Sequence, residues 1–342
     1  MGVRNLRLKA FTFGLTIFVI TVTTFLLGYT HKHSIDIWKS DSYFLRFSEK
    51  LKRLVNIPIR PCSCDACISE SKLSPWFDER FNDTIPTLLT KENNEIPEDV
   101  YQWWLKLQKE PKPKPFNETV NRLFETLSGE VDFLEASSYR CRRCAVVGNS
   151  GNLKNSGYGI WIDNHDFIFR MNRAATVGYE ADVGRRTTHQ FIYPESAANL
   201  QENATLILIP FKVLDIEWVI SALTTGTISR TYAMVPRRIK TSRDKIFVYN
   251  PIFMKYVYEN WMDRHGKYPS TGIMCIVFAL HVCDQVDVYG FGADANGNWH
   301  HYFENTTKPS GFRKSGVHDA DFQANITENL SSINKINFFT GR

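Results

Sequence analysis

Residues 141–153 read Cys141-Arg-Arg-Cys-Ala-Val-Val-Gly-Asn-Ser-Gly-Asn-Leu153, and the organisation of the chain can be worked out from this stretch. The apolar run Cys144–Val147 predicts a short strand, and Gly148–Gly151 predicts a tight turn at its end. Glycine lets backbone N–H groups come close to a phosphate, so the turn is a candidate anion-binding site. It matches neither the G-x-G-x-x-G pattern of dinucleotide binding nor the G-K-S/T of a P-loop, and a turn without any ligand is an equal alternative.

Short apolar runs and helical patterns alternate after this stretch. Further strands are predicted at Phe167–Met171, Leu206–Pro210, Lys245–Tyr249 and Val286–Phe291. Helices are predicted where Phe253, Tyr256, Val257 and Trp261 share a helical face, and over Ile273–Val282 behind the start signal Ser270-Thr271-Gly272. This alternation predicts an α/β fold with a mostly parallel central sheet, which binds ligands at the carboxyl ends of its strands.

The N-terminus predicts a membrane anchor at residues 10–30. None of these residues is charged, and about 20 apolar residues suffice to span a bilayer as a helix. Basic residues before the span keep residues 1–9 in the cytosol and direct the rest of the chain to the lumen. A cleaved signal peptide is the alternative, but Tyr29-Thr30-His31 makes a poor cleavage site. The polar, aperiodic residues 31–58 are interpreted as a stem before a folded region at 59–342.

The seven cysteines agree with a lumenal location. Beyond a membrane anchor disulfides are favoured, whereas in the cytosol the clusters C-S-C-D-A-C and C-R-R-C would suggest a zinc site. Cys275 lies in an apolar run and is the candidate for the unpaired cysteine. Six Asn-x-Ser/Thr triplets fit the same compartment and start at Asn82, Asn117, Asn203, Asn305, Asn325 and Asn329.

The composition of the chain argues against a nucleic-acid-binding protein. The 342 residues are 43% hydrophobic and carry a net charge of only +5, part of it before the predicted span. No dense stripe of lysine and arginine is interleaved with stacking aromatic residues. The chain is therefore expected to bury a sizeable core and to act on a ligand other than DNA or RNA.

Two histidine segments are candidates for proton transfer, Trp299-His300-His301-Tyr302 and Val317-His318-Asp319-Ala320-Asp321. Transfer of a sugar to a hydroxyl needs a base for the acceptor proton and a donor or positive charge at the leaving phosphate. One histidine from each segment would be enough for these two tasks. The alternative is a structural role for each, which is the usual role of a lone histidine. The two aspartates also match the D-x-D with which many glycosyltransferases hold a metal, an unspecific pattern.

Four segments in order resemble the sialyl motifs of the animal sialyltransferase family. The large motif is matched by Cys141–Leu153, Phe167–Asn172 and Gly178–Gly184, the small motif by Tyr268–Gly292, the third by His300–Tyr302 and the very small one by His318–Phe322. The likeness extends upstream through Lys72–Arg80 and Trp103-Trp104 and covers nearly everything after the stem. It implies a single Rossmann-like domain, a variant of the glycosyltransferase A-type fold.

The resemblance implies a role for each matched position. The CMP moiety of the donor would be bound by Asn149, Asn172, Ser270, Thr271, Gly272 and Gly292, and the acceptor galactose by Gln108, Tyr232 and Tyr268. His318 would be the general base and His301 would stabilise the leaving phosphate. Cys144 would pair with Cys283, and Cys62, Cys64, Cys67 and Cys141 would form two more disulfides whose pairing is left open.

The implied activity is inverting transfer of sialic acid from CMP-sialic acid to the 3-hydroxyl of terminal galactose, as in Galβ1,3GalNAc of O-linked glycans and glycolipids. The family needs no metal or other cofactor, so Asp319 and Asp321 are interpreted as structural. The expected location is the Golgi membrane, with one N-terminal helix and a lumenal catalytic domain; a homodimer is left open. Two rival interpretations are a glycan-binding protein without catalysis and a thiol oxidoreductase that uses Cys141 and Cys144.

Overall fold

The structure is a computed structural model that describes residues 17–23, 60–70, 74–131, 133–134, 137–197, 201, 203–294, 296–304 and 316–341. Residues 17–23 are helical, and residues 61–342 form one compact unit with its own core. The predicted cytosolic tail and stem, and the predicted span apart from residues 17–23, lie outside the described residues. Within the described parts of the chain, no helix has both the length and the apolar character needed to cross a bilayer.

Helices and strands alternate through the folded unit, as the sequence predicts. The helices are α1 Pro75–Asp78, α2 Glu98–Trp104, α3 Phe116–Thr126, α4 Gly159–Asp163, α5 Glu180–Val183, α6 Val213–Leu223, α7 Pro251–Tyr256, α8 Thr271–Val282 and α9 Ala320–Ser332. The strands are β1 Arg143–Val147, β2 Phe167–Met171, β3 His189–Ile192, β4 Thr205–Leu208, β5 Ile246–Val248, β6 Gln285–Tyr289 and β7 Asn337–Phe339. A π-helical turn, Val257–Trp261, continues α7 along the predicted helical face.

The seven described strands form one sheet in the order β5-β4-β3-β2-β1-β6-β7. Every neighbouring pair is parallel, so the sheet is parallel throughout rather than mostly parallel. Strands β2 to β5 are added one after another on one side of β1, and β6 and β7 are added on its other side. The direction in which successive strands are added therefore reverses between β1 and β6, and open α/β sheets bind ligands at such a point.

Both faces of the sheet are covered. Successive residues of β1 alternate between two apolar clusters, with Cys144 and Val146 in the larger one and Ala145 and Val147 in the smaller one. Helix α8 is apolar on all sides and packs against β1, β2, β3 and β6 from the larger cluster. Burial on two faces explains the continuous apolar runs without alternation in β1, from Cys144 to Val147, and in β4, from Leu206 to Leu208.

Three disulfides join the described cysteines. Cys144 is bonded to Cys283, as the resemblance implies, and the other pairs are Cys62–Cys67 and Cys64–Cys141. Cys275 is a buried free thiol inside α8, as predicted. Because Cys141 and Cys144 are bonded to different partners, they do not form the redox pair that a thiol oxidoreductase requires, and that interpretation is wrong.

Candidate active site

A cleft of about 750 Å³ opens where the strand order reverses. Its floor is formed by the residues that directly follow β1 and β6, beginning at Gly148 and Gly290. The start of α8, the segment 299–304 and residues of α9 close the sides. Five segments that are far apart in the sequence thus meet at the carboxyl edge of the sheet.

Close backbone contacts explain the glycines of the first loop. A Cβ at Gly148 would lie 2.2 Å from the carbonyl oxygen of Gly290, and a Cβ at Gly151 would lie 2.6 Å from Nε2 of His300. The backbone N–H of Gly148 donates to the carbonyl of Tyr289 at 2.7 Å, which holds the two loops together. Only a residue without a side chain allows this approach.

Three asparagine residues, Asn149, Asn152 and Asn172, line the cleft. The amide nitrogen of Asn149 donates to the Met171 carbonyl at 3.0 Å, and that of Asn152 donates to the Phe291 carbonyl at 2.7 Å. These contacts fix the orientation of the two amide groups. The Oδ1 atoms of Asn149, Asn152 and Asn172 are buried without a hydrogen-bond partner among the described residues. Buried polar atoms are rarely left unpaired, so these oxygens are suited to the donors of a polar ligand.

The N-terminus of α8 supplies donors on another side of the cleft. Ser270 caps the helix by accepting the Ile273 N–H at 3.3 Å, and its hydroxyl donates to the Gln323 side chain. Thr271 and Gly272 lie in the first turn and line the cleft. Free N–H groups and the positive end of the helix dipole make such a terminus suitable for a phosphate.

His301 is held by a carboxylate and by the first loop. The N–H of Tyr302 donates to the Asn149 carbonyl at 2.9 Å, and an antiparallel bridge joins His301 to Ser150. Nδ1 of His301 donates to Oε1 of Glu304 at 2.7 Å. Burial opposes the charge of Glu304, but the hydrogen bonds from His301 outweigh it and lower the pKa of the carboxyl. The Glu304 carboxylate accepts this hydrogen bond and so fixes the orientation of the His301 ring.

His318 is fixed by a backbone acceptor. Its Nδ1 lies 2.9 Å from the carbonyl oxygen of Tyr268, and its ring packs edge-on against the Tyr268 ring at 5.2 Å. This contact selects the tautomer in which Nδ1 carries the hydrogen and Nε2 carries the lone pair. Burial lowers the pKa of His318, which favours the neutral imidazole that a general base requires. His318 lines the same cleft as His301.

The predicted acceptor residues form a neighbouring group outside the lining of the cleft. Burial raises the pKa of the Tyr268 phenol, and the nearby Gln108 side chain opposes the rise. Tyr232 is 76% exposed and close enough to Tyr268 to affect its ionisation. Because Tyr268 also holds His318, the Gln108–Tyr232–Tyr268 group borders the cleft at the candidate base.

The aspartates of the D-x-D pattern are part of a helix start. Asp319 caps α9 by accepting the Phe322 N–H at 3.0 Å, and its other oxygen lies 3.0 Å from Nδ1 of His265. Among the described residues, no three His, Cys, Asp or Glu side chains are grouped so as to hold a metal. The predicted structural role of Asp319 is therefore consistent with its contacts.

The predicted donor-site residues come together, and the cleft adds others. Asn149, Asn172, Ser270, Thr271, Gly272 and Gly292 all line it, as do both candidate histidines. His300, which belongs to the first histidine segment, lines it too, and sequence reasoning missed three further lining residues, Asn152, Glu304 and Gln323. Glu304 lies three residues after His301, and this spacing is the one local signal in the sequence for a carboxylate partner of that histidine.

Comparisons with known proteins agree with this arrangement. Residues 88–335 match the family model described as glycosyltransferase family 29 (sialyltransferase). The CMP-N-acetylneuraminate-beta-galactosamide-alpha-2,3-sialyltransferase 1 of Gallus gallus is 55% identical over 341 residues, and that of Homo sapiens is 54% identical over 340, with 99% of each chain covered. The crystal structure of a mammalian sialyltransferase matches with a TM-score of 0.78 and 56% identity, covering 83% of this chain and 100% of that one. A second, in complex with Gal-beta-1-3GalNAc-ortho-nitrophenol, matches with a TM-score of 0.78 and 55% identity over 82% of this chain and 100% of that one.

Proposed function

Since the chain belongs to glycosyltransferase family 29, the sialyltransferases, we propose that it transfers sialic acid from CMP-sialic acid to the 3-hydroxyl of a terminal galactose. The observation that carries the chemistry is the pair of histidines in one cleft at the carboxyl edge of the sheet. Each has its Nδ1 fixed by an acceptor, a carbonyl oxygen for His318 and a carboxylate for His301. Burial favours the neutral form of His318, whose Nε2 then carries the lone pair.

His318 acts as the general base. Its Nε2 takes the proton of the galactose 3-hydroxyl while the hydroxyl oxygen attacks the anomeric carbon of sialic acid. The bond between that carbon and the phosphate oxygen of CMP breaks, and CMP leaves with the electron pair from the opposite face. The configuration at the anomeric carbon is therefore inverted.

His301 and the N-terminus of α8 stabilise the departing phosphate. A phosphate is already a good leaving group, so what it needs is positive charge and hydrogen-bond donors rather than full protonation. In its protonated form His301 donates from Nε2, because Nδ1 is bonded to Glu304, and Thr271 and Gly272 supply backbone N–H groups. The unpaired oxygens of Asn149 and Asn172 are suited to hydroxyl or amino donors of the CMP moiety.

The acceptor is Galβ1,3GalNAc on O-linked glycans and glycolipids. Support comes from the two alpha-2,3-sialyltransferase 1 relatives and from the similar structure that contains a Gal-beta-1-3GalNAc compound. Gln108, Tyr232 and Tyr268 would bind the galactose next to His318, because Tyr268 contacts both Gln108 and His318. The reaction uses no metal, and each step above is assigned to side chains and backbone groups of the chain.

The protein is a single-pass Golgi membrane protein with a cytosolic N-terminus and a lumenal catalytic region. The uncharged stretch at residues 10–30, the basic residues before it and the three disulfides after it support this assignment. Disulfides persist in the secretory pathway and are rare in the cytosol, so the folded unit belongs on the lumenal side.

The test is a transfer assay with the full chain in mild detergent. CMP-sialic acid and Galβ1,3GalNAc are supplied with and without EDTA, and the linkage of the product is determined. We expect transfer to position 3 of galactose that EDTA does not change. Loss of transfer on chelation would contradict the metal-free mechanism, and CMP-sialic acid binding without transfer to any galactose-ended acceptor would favour a glycan-binding protein.

A further inference from the structure

A buried lysine that the reaction above does not use lies behind the Gln108–Tyr232–Tyr268 group. Lys212 immediately precedes α6 and is only 4% exposed. Its ammonium donates to Oε1 of Gln108 at 2.7 Å and forms an ion pair with Oδ1 of Asp215 at 2.7 Å. A buried lysine is costly unless it is well paired, so its presence at this place needs an explanation.

The chemistry of the ammonium group fixes the direction of the hydrogen bonds around it. Lysine can only donate, so the side chain of Gln108 must present its oxygen to Lys212 and its NH2 group to the other side. Tyr268 lies close enough for the Gln108 side chain to lower the pKa of its phenol. The NH2 group of Gln108 is therefore the part of the amide that remains to donate to a ligand.

The same lysine is close to the residue that holds Tyr232. Oε1 of Glu195 lies 3.8 Å from the Lys212 ammonium, and it accepts the backbone N–H of Tyr232 at 2.8 Å. Thr231 also donates its hydroxyl to this carboxylate. Lys212 thus contacts Gln108 directly and lies next to Glu195, the residue that holds the backbone of Tyr232.

We propose that Lys212 is a positioning residue for the acceptor sugar, which it serves by orienting the Gln108 amide so that its NH2 group acts as a hydrogen-bond donor. Lys212 itself does not touch the substrate in this arrangement. The inference rests on the proposed function, because it takes Gln108 and Tyr268 as residues of the acceptor site. It predicts that Lys212 affects the KM for the acceptor and leaves the KM for CMP-sialic acid unchanged.

The alternative is that Lys212 only neutralises Asp215, whose second oxygen accepts the Phe211 N–H at 2.8 Å. Removing one partner of a buried ion pair leaves an uncompensated charge, whereas replacing both by apolar groups is often neutral. A purely structural role therefore predicts that Lys212→Met/Asp215→Leu restores what Lys212→Met loses. A positioning role predicts that the acceptor KM stays high in both variants.

The experiment measures transfer by the full chain while each substrate is varied at saturation of the other. We expect Lys212→Met to raise the KM for Galβ1,3GalNAc about tenfold, the factor that corresponds to about 1.4 kcal/mol. Gln108→Glu should raise it as well, because glutamate still accepts from Lys212 but has no NH2 group with which to donate to the acceptor sugar. The KM for CMP-sialic acid should stay within about twofold in both variants, since neither residue lines the donor cleft.

Lys335→Met is the matched control. Lys335 is also buried, at 5% exposure, and its ammonium donates to the carbonyls of Ile68 and Glu70 outside the cleft. Its loss should lower thermal stability without changing either KM. An unchanged acceptor KM in Lys212→Met, or a normal one in Lys212→Met/Asp215→Leu, would overturn the inference.

Gln108→Glu keeps the inference testable if the Lys212 variants do not fold, because an unchanged acceptor KM in that variant also refutes it. Failure of the wild-type chain to transfer sialic acid to any galactose would refute the proposed function, and the inference with it. These two failures are distinguished by the activity of the wild-type chain alone.

Discussion

Removal of the Cys144–Cys283 disulfide should destabilise the fold much more than removal of the Cys62–Cys67 disulfide. The two bridges close loops of very different length, with sequence separations of 139 and 5 residues. Chain entropy gives about 5 kcal/mol for the long loop and about 2 kcal/mol for the short one. For a folded unit of roughly 280 residues, these values correspond to losses in Tm of about 8 °C and 3 °C.

The assay compares the double variants Cys144→Ala/Cys283→Ala and Cys62→Ala/Cys67→Ala in the full chain. Tm is measured by intrinsic fluorescence at neutral pH without added oxidant. All four cysteines are buried, so the cavity left by truncation is similar and the difference reports loop length. Cys283 follows the end of α8 opposite to Ser270 and does not line the cleft, so the KM for CMP-sialic acid should not change well below Tm. Equal Tm losses for the two variants would refute the loop-entropy reasoning.

Three further outcomes are expected. His318→Ala should lower kcat by a factor of about 10²–10⁴ and still bind CMP-sialic acid in calorimetry. Because burial lowers the pKa of His318 and the base must be neutral, wild-type kcat/KM should fall only as the pH drops below 6.5. A fall that begins above this value would contradict the role of His318 as the base. Glu304→Gln should lower kcat about tenfold with the acceptor KM unchanged, because it weakens a charged hydrogen bond to His301. An unaltered kcat in steady-state assays would argue against Glu304 as the partner of His301. Gly148→Ala should lose about 10²-fold in kcat/KM for CMP-sialic acid, because its Cβ would displace the Gly290 backbone; wild-type kinetics would exclude the close approach.

Two of the inner strands were predictable because they are buried and largely apolar. β2 matches the predicted range Phe167–Met171, and the predicted Val286–Phe291 overlaps β6, where Asp287 is the one charged residue. β3 was missed because His189 and Gln190 interrupt its apolar character, although both are buried in the structure. β7 was missed because it is a three-residue edge strand, Asn337–Phe339, too short to show a period.

The parts of the site that sequence could not predict depend on tertiary contacts. Gln323 reaches the cleft only because Asp319 starts α9 there, and nothing in the sequence places that helix against Ser270. The buried contact between Lys212 and Gln108 joins residues 104 positions apart. Local patterns give the elements, but the pairing of distant polar groups follows from how those elements pack.

The adjacency of β1 and β6 has a consequence for the order of events during synthesis. β1 can join β2 to β5 as soon as they leave the ribosome, but its other edge has no partner until β6 has been made. At about 5–20 residues per second, the 139 residues between Cys144 and Cys283 take roughly 7–28 s to translate. Throughout that interval Cys144 lies close in sequence to Cys141 and its native partner Cys283 has not yet been made. The donor site is incomplete for the same time. Until β6 is made, the open edge of β1 is exposed to pairing with other strands, and a non-native disulfide at Cys144 would have to be reversed by thiol exchange.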